Sequence, residues 1–349
     1  MDKAFIYRHT GSHRQIVGAE PMRLGYGKAD NVNAVRLYNS SGMELTVLPD
    51  RGMDIYGLRL CGQNMSFLSK TGVTAPQYFV EDGAKGFLKN FFVGFLTTCG
   101  LSYMGAAHVD NGEPLGLHGQ ISNIPAENCY AGEEWIDNKL YAVAQGNVCQ
   151  TQVFQENIQL TRRIELSGEE NVFKIHDHIE NRALRETPFM LLYHMNYGYP
   201  LLSENTEIHI PSKTVVPRDE AAAAGLENHR SFETPDDMAE EQVFFHQVKA
   251  DGKGNTSYVV CNRKLGLGLQ VEYCAEALPF LTQWKCIRSG EYVLGVEPGN
   301  CHVNGRARAR EEGLLQVLRP LEERDFVLTV RGLTNEAMIQ KAIDQIKQL

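Results

Sequence analysis

Apolar and polar side chains alternate along much of the chain, which is the pattern of β-strands buried on one face. Residues 43–47 follow this pattern over one short strand. Residues 158–166 and 172–180 flank a turn-forming sequence at 167–171, so they predict an antiparallel hairpin. The same alternation, or a continuous apolar run, predicts further strands at 207–210, 257–261, 266–273, 292–296 and 325–331.

A helical period is found mainly at the C-terminal end of the chain. Residues 335–349 place apolar side chains three and four positions apart, and Thr334 or Asn335 can cap the first turn. This predicts one amphipathic helix docked on the body of the protein. A short Ala-rich stretch at 220–224 predicts a helical turn inside the polar segment 211–241, which we expect to be a long irregular surface excursion.

No internal repeat, low-complexity tract or linker divides the chain. Its 349 residues exceed one average domain, but all-β sandwiches commonly reach such lengths as one unit. We therefore expect a single domain over residues 1–349, with a β-sandwich core at about 34–331 and the helix at 335–349.

Charge and cysteine usage narrow the class of protein. The formal net charge of −9 repels nucleic acid and anionic lipid, so neither is an expected partner. No apolar run is long enough to span a bilayer, and the N-terminal residues lack a signal-peptide core. The eight cysteines form no Cys-x-x-Cys pair, which argues against a zinc ribbon and favours reduced thiols in the cytoplasm. We expect the protein to be either a monomer or a homodimer.

Two early segments carry residues suited to chemistry. Arg51 follows a predicted strand and precedes Gly52, so its fork of donors could hold ligand hydroxyls or carboxylates, or it could be a solvated turn residue. His118 lies between Leu117 and Gly119, where the backbone can approach a ligand closely. It is either an acid–base group or a core histidine satisfied by a hydrogen bond.

Two later segments end apolar strands with polar groups. His194 and Asn196 close a nearly continuous apolar run that begins at residue 188, where unpaired polar groups are costly unless they are used. Glu297 ends another apolar strand, where burial would raise its pKa towards the range of a general base. The structural alternative for His194 and Asn196 is ordinary capping at a strand end. For Glu297 it is a surface glutamate that opens a turn. A neighbouring strand offers an amide, a stacking surface and a charge in Gln283, Trp284 and Lys285.

The order of these motifs resembles that of the aldose 1-epimerases within the galactose mutarotase-like proteins. The resemblance rests on Leu117-His118-Gly119, on Thr187-Pro188 leading to His194, and on the segment that ends in Glu297. It extends over about residues 34–331. It implies an all-β fold, a galactose mutarotase-like β-supersandwich with a broad concave sugar cleft, and a small carbohydrate as ligand.

The resemblance also implies roles for single residues. Glu297 would take the proton from the anomeric hydroxyl, His194 would protonate the ring oxygen and His118 would hold a sugar hydroxyl. No cofactor and no metal would be needed. The arginine that better-known members carry before the first histidine is missing, so Lys89 or Arg51 is expected to replace it. The family's sugar-binding aspartate is missing as well.

Three functions remain open from the sequence. The first is a mutarotase or related isomerase, in which Asn196, Gln283 and Trp284 would also contact the sugar. The second is a carbohydrate-binding protein without catalysis, because a fold does not determine a function. The third is a metal-dependent sugar enzyme, because two histidines and a carboxylate also form a metal-ligand set. Lys285, Lys89 and Arg51 would suit a sugar with an anionic substituent.

Overall fold

The computed structural model describes residues 3–349. In chain order its strands are β1 (Val17–Arg23), β2 (Asn33–Asn39), β3 (Met43–Leu48), β4 (Asp54–Leu60), β5 (Gln63–Asn64), β6 (Phe67–Leu68), β7 (Val93–Gly94), β8 (Leu96–Leu101), β9 (His108–Asp110), β10 (Glu113–Leu115), β11 (Glu127–Ile136), β12 (Lys139–Thr151), β13 (Asn157–Ser167), β14 (Val172–Asn181), β15 (Thr187–Tyr197), β16 (Thr206–His209), β17 (Ser212–Pro217), β18 (Gln242–Val248), β19 (Asn255–Asn262), β20 (Leu267–Cys274), β21 (Phe280–Arg288), β22 (Glu291–Gly299), β23 (Gln316–Leu318) and β24 (Glu323–Leu333). The α-helices are α1 (Lys3–His9), α2 (Gly83–Leu88), α3 (Glu220–Ala224), α4 (Arg306–Glu311) and α5 (Glu336–Lys347).

Two large antiparallel sheets form the body. The first sheet runs in the order β1-β2-β3-β4-β8-β15-β22-β21-β18-β17, with β5 paired to β4 and β23 paired to β15. The second sheet runs β11-β12-β13-β14-β24-β20-β19-β16. Their facing side chains form one apolar core that draws on both sheets, as the predicted sandwich requires.

The predicted hairpin is confirmed as β13 and β14. The two strands pair in register from Ile158 opposite Asn181 to Leu166 opposite Phe173. Alternate residues of each strand point into the core because successive side chains of a strand face opposite sides. The other predicted strands also appear, with ends shifted by up to three residues.

The predicted C-terminal helix is confirmed as α5. The Asn335 side chain caps it by accepting a hydrogen bond from the backbone N–H of Met338. Its apolar face packs on β19, β20 and β24. The short helices α1, α2 and α4 were not expected, because six or seven residues are too few to show a helical period.

The segment 211–241 is more ordered than predicted. It contains β17 and the expected helical turn α3, and β17 pairs with β18 at the edge of the first sheet. Its two ends return to the same place, where Arg218 forms an ion pair with Glu241 at 3.0 Å. The segment therefore folds against the sheet and presents this pair beside the strand ends.

No helix within residues 3–349 is both long and apolar enough to cross a lipid bilayer. The assignment of residues 1–349 to a single domain stays a prediction.

Candidate active site

Strand β15 is buried on both faces, and the two faces have different surroundings. Tyr193 and Met195 point into the core between the sheets. His194 points the other way, into a cavity on the outer face of the first sheet, and Asn196 lies behind it on the same face of the strand. Strand β22 lies beside β15, with Val296 in the core and Glu297 facing the cavity. The alternation of side chains thus brings His194 and Glu297 to the same face.

The cavity has a volume of about 250 Å³ and is closed by segments that are distant in sequence. Its deep wall consists of His118, His194, Thr282 and Glu297. The remaining wall is mostly apolar and aromatic, and two charged side chains lie at its edge. These wall residues are Phe87, Leu88, Phe91, Ala106, Leu117, Arg218, Glu241, Val243, Trp284 and Val303.

His118 is held in the cavity by a strained backbone. Its φ of +59° is uncommon for a residue with a side chain. Its N–H donates to the carbonyl of Gly105 at 2.8 Å, and its own carbonyl accepts from the N–H of Gly100 at 3.0 Å. Gly119 follows with a φ of +79°, and a Cβ there would lie 2.3 Å from the Gly100 carbonyl oxygen. Such local strain is typical of functional positions.

The imidazole of His194 is oriented by its neighbour on the same face of β15. Nδ1 of His194 lies 2.6 Å from Oδ1 of Asn196, while the Asn196 amide N–H groups donate to the carbonyls of Val93 and His194. Because Asn196 offers its oxygen, Nδ1 carries the proton and Nε2 is left to face the cavity. The ring also contacts Phe91 and Trp284 edge-on, each at 5.4 Å between ring centroids.

The carboxyl group of Glu297 is buried against His194. Oε1 of Glu297 lies 3.2 Å from Nε2 of His194, yet at an angle that makes no hydrogen bond, so Oε1 has no hydrogen-bond partner. Gly295 leaves the room that this carboxyl group needs, because a Cβ there would lie 2.3 Å from Oε1.

Burial governs the protonation of these groups. It raises the pKa of Glu297 well above its usual value, and the nearby Glu241 carboxylate adds to the effect. Burial lowers the pKa of His194 to about 4, against the opposing effect of the Asn196 hydrogen bond. Burial and the neighbouring His194 lower the pKa of His118 to about 3. Near neutral pH both imidazoles are therefore neutral, and burial favours the protonated form of the Glu297 carboxyl group beside them.

Three buried polar atoms of the cavity wall have no hydrogen-bond partner among residues 3–349. They are Nδ1 of His118, Oγ1 of Thr282 and Oε1 of Glu297. A buried polar group without a partner costs about 1–3 kcal/mol. A ligand that carries several hydroxyl groups would satisfy all three.

Several cavity residues were not predicted from the sequence, and three of them are polar: Arg218, Glu241 and Thr282. Thr282 lies directly opposite Glu297 in the ladder between β21 and β22, so pairing this strand with the Glu297 strand would have indicated it. Arg218 and Glu241 come from the ends of the 211–241 segment, and no local pattern links them to the site. Glu241 accepts from the indole N–H of Trp284 at 3.0 Å and thereby orients that ring.

Arg51 and Lys89, which were predicted to contact the ligand, do not line the cavity. The Arg51 guanidinium is buried away from the cavity and donates to the carbonyls of Ser122, Thr74 and Asn90 at 2.7–2.9 Å. It ties together three loops instead of holding a sugar. Lys89 is exposed and pairs with Asp82 at 3.6 Å. Neither side chain replaces the missing arginine.

Gln283 and Lys285 do not line the cavity either, and the reason is strand geometry. Thr282 and Trp284 of β21 face the cavity, so the residues between and after them face the opposite side. Gln283 bonds His246, and Lys285 bonds Glu233 at 2.8 Å beneath the 211–241 segment. The three cations that were expected to hold an anionic substituent therefore all point elsewhere.

Of the six residues expected to contact the sugar, Trp284 is the one that lines the cavity, and Asn196 lies behind His194.

In the part of the chain that the structure describes, possible metal-ligand side chains do not form a close group of three in the cavity. Within residues 3–349, the one group of three ligand side chains close enough to share an ion is Glu207, His209 and Cys261 on the second sheet. His176 and His178 each lie beside a separate carboxylate on the face of β14 away from the core.

Solved structures identify the class of fold. A protein of Klebsiella pneumoniae subsp. pneumoniae MGH 78578, named provisionally as an aldose 1-epimerase, superposes with a TM-score of 0.90 at 24% sequence identity, over 95% of this chain and 87% of that one. A galactose mutarotase-like protein of Clostridium acetobutylicum gives a TM-score of 0.62 at 14% identity, over 91% and 99% of the two chains. Galactose 1-epimerase of Lactobacillus acidophilus NCFM gives 0.58 at 13% identity, over 92% and 100%. The predicted galactose mutarotase-like β-supersandwich is thereby confirmed.

The sequence model of one family matches residues 29–331, and that family is described as a domain of unknown function, DUF4432. The chain belongs to this family. No curated protein matches the chain in sequence.

Proposed function

We propose that this protein is an aldose 1-epimerase, which interconverts the anomers of a reducing sugar by acid–base catalysis. The observation that carries the proposal is the set of three buried polar atoms without partners in one cavity, on His118, Thr282 and Glu297. Hydroxyl groups of a sugar supply matching donors and acceptors, and the aromatic ring of Trp284 suits the C–H face of a sugar.

The 3.2 Å contact between His194 and Glu297 supports the proposed roles of this pair. We take the pair to hold one titratable proton before the sugar binds, on Glu297, because burial favours its protonated form. Transfer of that proton to Nε2 of His194 gives a carboxylate base and an imidazolium acid without any change in net charge. Sugar hydroxyl groups favour this charged form, because they replace the hydrogen bonds to water that burial removed.

The reaction then needs two proton transfers around the anomeric carbon. Glu297 takes the proton of the O1 hydroxyl while His194 gives its proton to the ring oxygen, the bond from C1 to the ring oxygen breaks, and an open-chain aldehyde forms. Rotation about the C1–C2 bond presents the other face of the carbonyl. The same transfers in reverse close the ring as the opposite anomer. Both oxygens are bonded to C1, so an adjacent acid and base suit the step.

His118 has a supporting role in the proposal. Its lowered pKa of about 3 keeps its imidazole neutral, so it can hold a sugar hydroxyl without competing for the proton of the pair. Asn196 is a positioning residue, because its contact with Nδ1 aims Nε2 of His194 at the substrate.

The test is NMR exchange spectroscopy of anomer interconversion over a panel of neutral and acidic reducing sugars. We expect faster exchange for at least one sugar and a loss of about 10²–10⁴-fold in Glu297→Gln. Glu272→Gln, on the second sheet, is the matched control and should retain the wild-type rate. Sugar binding without acceleration by the wild-type protein would contradict the proposal and favour a carbohydrate-binding protein without catalysis.

The proposal places the reaction in the cytoplasm, since all eight cysteines are free in the structure, as a reducing compartment would keep them.

A further inference from the structure

A second cavity adjoins the first one and shares a wall with it. Its volume is about 430 Å³, and four residues line both cavities: Leu88, Phe91, Glu241 and Trp284. Ligand pockets usually measure roughly 300–1,000 Å³. The first cavity falls just below that range at about 250 Å³. A ligand that fills both cavities would be larger than one sugar ring.

The surfaces of the second cavity suit the flat face of a ring. Phe67 and Trp284 present aromatic side chains, and Val93, Cys286 and Val293 form an apolar base. The indole N–H of Trp284 is already bonded at the shared wall, so the ring of Trp284 is fixed between the two cavities. Aromatic side chains held in this way favour stacking contacts with C–H faces.

The charged groups of the second cavity neutralise one another. Lys70 pairs with Glu291 at 2.5 Å, and Arg288 lies 3.8 Å from the same carboxylate. Within residues 3–349, none of the side chains that line only this cavity has a buried polar atom lacking a hydrogen-bond partner. The second cavity therefore requires neither an ionic group nor a deeply buried hydroxyl from its occupant. Its charged edge can still bond hydroxyls that point to solvent.

We infer that the second cavity binds the second ring of a neutral reducing disaccharide whose reducing ring occupies the first cavity. This inference rests on the proposed function. Anomer exchange requires a free hydroxyl on C1, so the second ring must be attached through another carbon of the reducing sugar. One sugar face packs on Trp284 and Phe67, and its outer hydroxyls meet the edge at Lys70.

The test compares the ratio of kcat/KM for maltose to that for glucose, measured by NMR anomer exchange, and the affinity for maltose, measured by calorimetry. Cys286→Phe fills the second cavity and should lower both the ratio and the affinity about tenfold. Cys274→Phe, on the second sheet, is the matched control and should retain the wild-type ratio. Lys70→Ala changes an 80%-exposed side chain and does not threaten the fold, and it should lower the ratio about threefold.

Each outcome decides the inference. If Lys70→Ala and a folded Cys286→Phe both keep the wild-type ratio of kcat/KM for maltose to that for glucose, the inference is overturned. The proposed function is then unaffected. If no sugar is accelerated but maltose binds and Cys286→Phe weakens that binding about tenfold, the subsite stands and the proposed function fails. If Cys286→Phe does not fold, Lys70→Ala decides alone.

Discussion

Two buried polar clusters lie on opposite faces of β15, and they differ in how their hydrogen bonds are satisfied. The ion-pair cluster (Asp54, Thr98, Arg162, Asp177 and Tyr193) lies between the sheets. The cavity cluster (His118, His194, Thr282 and Glu297) lies on the outer face. Adjacent residues of one strand, Tyr193 and His194, belong to different clusters.

In the ion-pair cluster, nearly every buried polar side-chain atom has a hydrogen-bond partner. Arg162 binds both oxygens of Asp177 at 2.8 and 2.6 Å, and it reaches Asp54 at 3.1 Å and Thr98 at 2.7 Å. Only Oδ2 of Asp54 lacks a partner within the described cluster, and burial raises the pKa of that carboxyl group to about 6. The cavity cluster instead has three atoms without partners. Burial of polar groups alone does not mark a functional site, whereas unsatisfied groups facing a cavity do.

The largest expected effect breaks the ion-pair cluster. Arg162→Met leaves two buried carboxylates without their cation and should lower the free energy of unfolding by about 3–5 kcal/mol, measured by urea denaturation. Arg163→Met is the matched control on the next position of β13, where the side chain is 24% exposed and should contribute less than about 1 kcal/mol. Equal losses in the two variants would show that the buried cluster has no special structural role.

Glu297→Gln should have the opposite effect on stability. The pKa of Glu297 is higher in the folded protein than in the unfolded chain. Its contribution to stability is therefore complete below pH 4.5 and is lost as the pH rises through the pKa of the folded state. Glutamine cannot ionise, so at pH 9 the variant should exceed the wild type in free energy of unfolding by at least about 1 kcal/mol, since each unit of pKa shift corresponds to about 1.4 kcal/mol. The difference should shrink towards pH 4.5. Urea denaturation at both pH values measures it, and a difference independent of pH would contradict the argument.

Thr282→Val should separate binding from folding. Its hydroxyl has no hydrogen-bond partner within residues 3–349, so removal should leave stability unchanged or improved, while KM rises about fivefold through loss of one hydrogen bond to the sugar. Thr97→Val is the control, because Oγ1 of Thr97 bonds the Val93 carbonyl at 2.8 Å. That variant should lose about 1 kcal/mol of stability instead. Thermal unfolding and anomer-exchange kinetics together test both statements.

The smallest expected effect is a shift in pH dependence. In the proposed mechanism the His194–Glu297 pair is active while it holds one proton, so kcat/KM should fall below about pH 4, where His194 gains a proton, and again at higher pH, where Glu297 loses its own. Glu241→Gln removes a like charge, lowers the pKa of Glu297 and should move the alkaline limb to lower pH by less than about one unit. A shift towards higher pH would refute this electrostatic account. Lys253→Gln, in an exposed turn, should leave the profile unchanged.

The proposed acid–base residues could be selected from the sequence because each ends or interrupts an apolar segment, where a polar side chain is costly. His194 and Glu297 are such residues, and the structure places both in one cavity. The residues expected to hold the sugar could not be found in this way. For Gln283 and Lys285, the choice between neighbours on β21 depended on which face of the strand meets the cavity.

The ion-pair cluster was within reach of the same reasoning. Arg162 occupies the apolar face of β13, and Asp177 occupies the apolar face of β14 directly opposite. The hairpin register therefore indicates the pair. Asp54, from a separate strand, does not follow from any local pattern.

The sequence by itself determined the strands, the hairpin, the C-terminal helix and the residues proposed for acid–base chemistry. Local alternation and capping depend on neighbours along the chain, so these features can be read without a structure. Tertiary structure alone decided that Arg51 ties loops together, that Arg218 and Glu241 meet at the cavity, and that a second cavity lies beyond Trp284. These contacts join segments tens to hundreds of residues apart, and the packing of the whole sandwich determines them.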